Sequence, residues 1–417
     1  MTKEQHIGVL DCNNFFVSCE RVFRPDLWRK PVVVLSSNDG CVVARSKEVK
    51  DIGIPMGVPY FQIKDILQKE KVTVFSSHFA LYRDISRRVF EVLRTELDQI
   101  EQYSIDEAFF VIPDEQDPVE LGQRLKDKVA RLVGVPVSVG VGKSKTQAKA
   151  AVERAKQGSG VFVWSESSWQ LATRELPLAS IWGVGAQLEL RYKHHGLVTV
   201  ADLLAADSAR IDKLFGIGGL RLQQELAGCQ MSAVTNRAIR QQSVMSSRSF
   251  RSSTQDPSVL EDAVAYHVRH VAETLRSMAV GACEIRVFIR PSRHGDYVLR
   301  GGSAVAVLPE PTNDTFILLR TATDLLHQLY QAGVPYKKAG VVVSHLQTDP
   351  ERQDTLFPSE SSRRAALLSV VDAINSKAGK ETVTIGNRFK ANVWGAKLDA
   401  RSPAYTTRWS DIVSVRT

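Results

Sequence analysis

The octapeptide YSIDEAFF, residues 103–110, sets Asp106 and Glu107 side by side in an apolar, strand-forming run. A strand sends neighbouring side chains to opposite faces, and a buried strand has no shelter for either charge. The pair therefore predicts a hairpin tip or bulge at the end of a sheet, where both carboxylates reach one site. Taken alone, an Asp-Glu dipeptide is more often a solvated turn. The rest of the chain has to decide between the two.

Around this run the element signals alternate. IGVLD (7–11) is a short apolar run entering a polar turn, and FFVSCERVF follows with helical spacing of Phe15, Cys19, Val22 and Phe23. PVVVLS (31–36) reads as a strand bounded by Pro31 and SSNDG, and SKEVKDIGI as a short helix ending at Gly53. Leu81, Ile85, Val89, Leu93 and Leu97 recur every four residues and predict an amphipathic helix. YSIDEAFFVI supplies two short strands or one long one, LGQRLKDKVARLV a second helix, and PVSVGVG another strand. Strand, helix, strands, helix, strand resembles the order of a ferredoxin-like palm within residues 1–170, with an insertion over about 12–76 near its start. The fold class expected is multidomain α+β.

Residues 171–235 differ, with short helices separated by WGVG (182–185) and FGIG (215–218). Each matches the apolar-Gly-apolar-Gly core of a helix-hairpin-helix. Gly183, Gly185, Gly216 and Gly218 would let backbone amides approach a phosphate without side-chain obstruction. One such tetrapeptide is equally a plain helix cap; two, 33 residues apart (215 − 182), favour sequence-independent DNA-backbone binding. SVMSSRSF, ACEIRVFIR, GSAVAVLP and KAGVVVSHL, with helical patterns at 258–278 and 315–332, predict a second βαββαβ unit over 241–347. Residues 348–417 begin as a polar stretch, continue through a short helix (363–375), and end basic, with seven Lys/Arg against three acids over 380–417.

Charge fits a polyanionic partner without requiring one: Lys and Arg total 54 against 46 acids, a net +8. Between Arg237 and Arg300 lie ten arginines, no lysine and six acids, a bias that suits phosphate recognition or a solvated surface. The five cysteines (12, 19, 41, 229, 283) are scattered without a CxxC pair, which argues against a zinc site or disulfide framework and for a reducing compartment. No run approaches the ~20 apolar residues of a membrane span, so no membrane role and a cytoplasmic location are expected.

Two divalent ions roughly 3.5–4 Å apart can clamp the attacking and leaving oxygens of a phosphoryl transfer, and magnesium takes few, hard-oxygen protein ligands. Asp11, ending the first strand, could join Asp106 and Glu107 in holding them. Asn13, Asn14, Phe15 and Phe16 follow where a helix begins, and helix N-termini hold anions such as a triphosphate. The two aromatics read as core, or as rings against a nucleotide sugar. SVGVGKSKTQAKAAVERAK (138–156) contains Gly-Lys-Ser, but position 137 is Val where a P-loop needs Gly. What remains is a helix opening near Lys145 with Lys149 and Lys156 as phosphate-facing or solvated lysines. QDTLF (353–357) places a Leu-Phe pair in polar sequence, a docking-peptide pattern or a helix start.

Together these stretches resemble the Y-family translesion DNA polymerases, specifically the UmuC-like catalytic subunits of bacterial DNA polymerase V. The matching blocks are DCNNFFVSCERVFRPDLW, KPVVVLSSNDGCVVARSKEVKDIG, YSIDEAFF, SVGVGKSKTQAKAAVERAK and SVMSSRSF, in order along essentially the whole chain. The resemblance implies palm, fingers, thumb (171–235), little finger (241–347) and a C-terminal extension (348–417). It implies that Asp11, Asp106 and Glu107 are the metal-binding and catalytic carboxylates, with the Cys12 carbonyl at the second of two Mg²⁺ ions. Phe16 matches the steric gate against the ribose 2′-hydroxyl; Asn14 and Phe15 lie on the triphosphate turn. Lys156 matches the phosphate-binding lysine, and Lys50 falls where many relatives carry arginine. Gln353, Leu356 and Phe357 match the anchors of a sliding-clamp peptide. A dNTP, primed damaged DNA, the clamp, a processed UmuD-like dimer and RecA are the implied partners, in error-prone SOS synthesis at the nucleoid. Two other readings stand beside this one: a nucleotidyl cyclase, which leaves the paired hairpins without a role, and a non-catalytic clamp-recruited scaffold, which intact carboxylates disfavour.

Overall fold

The structure, a computed structural model, describes residues 5–236, 240–292, 301–348, 361–379, 381–385, 394–395 and 398–414. The chain divides into two compact units, Met1–Ala238 with Asp399–Thr417, and Ile239–Leu398. Among the described residues no helix is long and apolar enough to cross a membrane.

The first unit runs β1 (Ile7–Cys12), α1 (Phe15–Phe23), β2 (Val32–Leu35), β3 (Val42–Arg45), α2 (Lys47–Asp51), α3 (Tyr60–Lys69), β4 (Thr73–Ser76) and α4 (Phe79–Arg94). It continues through β5 (Ile100–Gln102), β6 (Glu107–Val111), α5 (Pro118–Val133), β7 (Val137–Gly142), α6 (Lys145–Gln157) and β8 (Val161–Val163). The main sheet has the order β5-β6-β1-β7-β8. Its first four strands are antiparallel neighbours in the ferredoxin-like arrangement, and β8 adds parallel to β7. The inserted segment forms its own three-stranded sheet, β3-β2-β4, over a small apolar core that includes Val33, Val49, Ile54 and Leu67.

β1 and β7 are buried along their whole length because helices cover both faces of the sheet. Leu10, Ala108 and Phe110 pack with α1, α4 and α5, while Ile7, Val9 and Phe109 face Ala148 and Val152 of α6. α6 lies flat on β7 because Gly140 has no side chain. A Cβ there would sit 2.1 Å from the Val152 nitrogen.

Four further helices form the helical region of this unit: α7 (Glu166–Thr173), α8 (Ala186–His194), α9 (Val200–Ala205) and α10 (Ser208–Leu226). They share a core with Trp164 and Trp169.

The second unit runs β9 (Ser243–Thr254), α11 (Pro257–Ser277), β10 (Val280–Pro291), β11 (Gly302–Thr312), α12 (Thr315–Leu329), β12 (Tyr336–Thr348) and α13 (Ser361–Ala378). The predicted βαββαβ order holds, but the sheet is arranged differently from the first. Here the order is β11-β10-β12-β9, so the second and fourth strands are central, against the first and third in the palm-like sheet. Residues 399–414, read from sequence as one extension with 348–398, pack in the first unit.

Candidate active site

The acidic pair sits at the mouth of a hairpin. β5 and β6 are joined by residues 103–106, and the Tyr103 and Ser104 amides donate to the Glu107 carbonyl at 3.0 and 3.2 Å. Glu107 opens β6 and lies directly across from Asp11 of β1. Strand alternation is kept, not broken, for these two: both carboxylates emerge on the α6 face, in phase with Val9 and Phe109. Asp106 lies outside the strand, where its Oδ1 accepts from the Ser104 hydroxyl at 2.5 Å. Its carbonyl accepts from the Cys12 amide at 2.9 Å, which ties the turn to the end of β1. The structure thus brings the side chains of Asp11 and Glu107 together and leaves that of Asp106 on Ser104. Among the described residues, no three His, Cys, Asp or Glu side chains are gathered as a metal-holding group.

Lysines of α6 answer the two facing carboxylates. Lys149 Nζ is 2.5 Å from Glu107 Oε1, and Lys156 Nζ is 2.8 Å from Asp11 Oδ2 and from Glu153 Oε1. Burial and the hydrogen bond with Glu107 push the Asp11 carboxyl up to about 7 against the pull of Lys156. Burial also pushes Glu107 up, but its hydrogen bond with Asp11, and Lys149, bring it net below the usual range. Two carboxylates brought together in this way mark a place where positive charge is favoured. Desolvation opposes the Lys156 ammonium, yet Asp11 and Glu153 raise it overall. Burial lifts the Cys12 thiol well above its ordinary range, so only its carbonyl is suited to a hard cation.

Lys149 was visible in the sequence as one of two lysines on a helix, but its partner was not. Lys145, Lys149 and Lys156 are spaced by four and seven (149 − 145, 156 − 149), one helical face; that spacing was the available signal. Lys145, buried, makes a two-oxygen ion pair with Glu101 at 2.7 and 2.8 Å.

Next to Asp11, Asn14 enters α1 in the left-handed conformation (φ 48°) and gives no side-chain cap, so the first-turn amides are left for an external acceptor. Phe15 is buried in the core, whereas Phe16 is half-buried. The Phe16 ring stacks on Tyr82 with centroids 4.5 Å apart and meets the edge of Phe79 at 5.8 Å. Lys50, on the exposed side of α2, has its ammonium lowered by desolvation and by the charges of Arg45 and Lys156, which places it within electrostatic reach of this end of the sheet.

In the helical region both glycine tetrapeptides form turns. The first precedes α8, with Gly183 at φ 91° and Gly185 as its N-cap residue; the second breaks α10 at Gly216, where φ is 67°. A Cβ at Gly183, Gly185, Gly216 or Gly218 would meet nothing within 4 Å, so these turns face open space. Gln353, Leu356 and Phe357 lie outside the described residues.

Profiles of the impB/mucB/samB family and of its C-terminal domain match residues 10–153 and 241–356, and one of a domain of unknown function, DUF4113, matches 365–415. The chain is 34% identical to Protein ImpB of Salmonella typhimurium, over 98% of this chain and 99% of that protein. It is 34% identical to Protein UmuC of Salmonella typhimurium strain LT2, over 98% of this chain and all of that one. A solved Y-family DNA polymerase chimera, Dbh-Dpo4(243-245)-Dbh, shares the fold at TM-score 0.70 and 20% identity, covering 82% of this chain and 100% of its own. With relatives matched end to end and a ferredoxin-like sheet that ends in facing carboxylates, this chain belongs to the impB/mucB/samB family, the UmuC-like Y-family DNA polymerases.

Proposed function

We propose that this DNA-directed DNA polymerase carries out translesion synthesis through a site built on Asp11, Asp106 and Glu107, extending a primer 3′-hydroxyl with a dNTP on a damaged template. The observation that carries the assignment is the Asp11–Glu107 pair, held by β1 and β6 on one face and countered by Lys149 and Lys156. The donor set, carboxylates with one backbone carbonyl beside them, fits hard divalent cations. Two Mg²⁺ ions held by Asp11, the Cys12 carbonyl, Asp106 and Glu107 would lower the pKa of the primer hydroxyl and neutralise the triphosphate.

The remaining groups bind and select. The uncapped amides of α1 after Asn14, with Phe15 packed beneath them, hold the triphosphate, and Lys156 and Lys50 add positive charge beside it. Phe16, braced by Tyr82 and Phe79, walls off the position of a ribose 2′-hydroxyl. The turns at Gly183, Gly185, Gly216 and Gly218 contact DNA phosphates through backbone amides. Gln353, Leu356 and Phe357 dock on a sliding clamp, and the UmuC-like resemblance extends the partners to a UmuD-like dimer and RecA in SOS mutagenesis at the nucleoid. Extension of a lesion-bearing primed template by the purified chain with Mg²⁺ and dNTPs, alone and with those partners, tests the reading. Failure under every combination would refute it.

A further inference from the structure

Residues 399–414 return to the first unit and close on the back of the aromatic wall that carries Phe16. Ala400 pairs with the free edge of β4: the Ser76 amide donates to the Ala400 carbonyl and the Ala400 amide to Ser76 Oγ, both at 3.0 Å. Two residues on, the Ser402 side chain is buried, its Oγ 3.0 Å from His78 Nδ1. Tyr405 then stacks on Phe23, the last residue of α1, with centroids 4.7 Å apart and planes within 8°.

The Ser402 and Tyr405 contacts fall on the two helices that position Phe16. Glu20 is on α1 one turn after Phe16, fully buried, and accepts from the Tyr82 hydroxyl at 2.7 Å. His78 is the N-cap residue of α4, whose first turn supplies Phe79 and Tyr82, the two rings against Phe16. The strap therefore touches both helices, α4 through Ser402 on His78 and α1 through Tyr405 on Phe23. Removing the Ser402 hydroxyl leaves the buried His78 imidazole short of a partner, and removing the Tyr405 ring uncovers Phe23, so each change loosens one of the two helices.

We propose that the C-terminal strap, through Ser402 and Tyr405, is a positioning element for sugar selection: it holds α1 against α4 so that the Phe16 ring stays rigid at the nucleotide sugar. The inference rests on Phe16 being the sugar-selecting residue. It gives the last part of the domain of unknown function a task inside the polymerase.

The test is the ratio of ribonucleotide to deoxynucleotide kcat/KM, measured on full-length variants under conditions where the wild-type chain extends a primer. Loss of stability lowers both efficiencies together, whereas a loosened wall raises the ratio. Ser402→Ala and, independently, Tyr405→Ala should each raise it roughly three- to tenfold, the scale of one aromatic contact. Ser402→Thr should restore the wild-type ratio, and Ser402→Ala added to Phe16→Ala should raise it no further than Phe16→Ala alone. If Phe16→Ala raises the ratio while both strap variants leave it within about twofold of wild type, the strap has no such role and the gate assignment stands. If Phe16→Ala itself leaves the ratio unchanged, the gate assignment falls and the strap's role with it. Should Ser402→Ala fail to fold, Tyr405→Ala, outside the buried polar cluster, decides alone.

Discussion

Lys156 offers the sharpest electrostatic test. It contacts Asp11 and Glu153 at 2.8 Å and its side chain is 30% exposed. A unit charge about 4 Å from a phosphate oxygen contributes about 4 kcal/mol at an effective dielectric constant near 20. Partial exposure, and the need to leave Asp11, reduce this to about 2 kcal/mol. At about 1.4 kcal/mol per tenfold, Lys156→Met should lower kcat/KM for dNTP insertion by roughly 30-fold. Lys156→Arg should lose much less. Single-nucleotide insertion at fixed Mg²⁺, with thermal melting as a control, measures both. Lys156→Met within about threefold of wild type, at unchanged melting temperature, would refute a phosphate role and leave Lys156 as a counter-ion of Asp11.

Three further outcomes are expected. Lys145→Met breaks the largely buried pair with Glu101 and should lower unfolding free energy by about 2–4 kcal/mol in denaturant titration, with partial recovery in Lys145→Met/Glu101→Gln; a loss below about 0.5 kcal/mol sinks this. His267 is held neutral by burial, with its pKa down to about 3, and shares a 2.8 Å hydrogen bond with Ser246. The unfolded chain binds that proton below about 6.5 and the folded chain does not, so stability is lost as pH falls from about 6.5 towards 3. The advantage of wild type over His267→Gln should thus shrink by about 2–3 kcal/mol between pH 7 and pH 4, and a constant difference would be the contrary result. Gly218→Glu faces open space and should leave the fold intact while weakening DNA binding about tenfold or more at low salt, measured by fluorescence anisotropy; unchanged affinity would remove this turn from the DNA interface.

Local chemistry made much of this fold legible. The runs IGVLD, PVSVGVG and EAFFV are strands because they are apolar, and the four-residue recurrence from Leu81 is α4 because that period builds one buried face. The turn at Asp106 was expected because adjacent charges do not fit an apolar strand, but its meaning as a site came only with Asp11 and the α6 lysines set beside it. What sequence could not show depends on distant packing. Glu107 keeps to strand alternation and meets Lys149, 42 residues away (149 − 107), because Gly140 lets α6 lie against the sheet. The order of strands in the second unit is a choice between packings of the same elements, and no local signal separates them. Ser402 reaches His78 across 324 residues, and a lone serine in a polar tail gives no hint of a buried partner.

The central claim is that Glu107 and Asp106 carry catalysis and not folding. Single-turnover insertion by Glu107→Gln and Asp106→Asn, on primed DNA with Mg²⁺ and dNTP, tests it most directly. Each variant should melt like wild type, bind primed DNA equally well, and insert about 10²–10³-fold more slowly. Insertion at the wild-type rate by either folded variant would contradict the assignment.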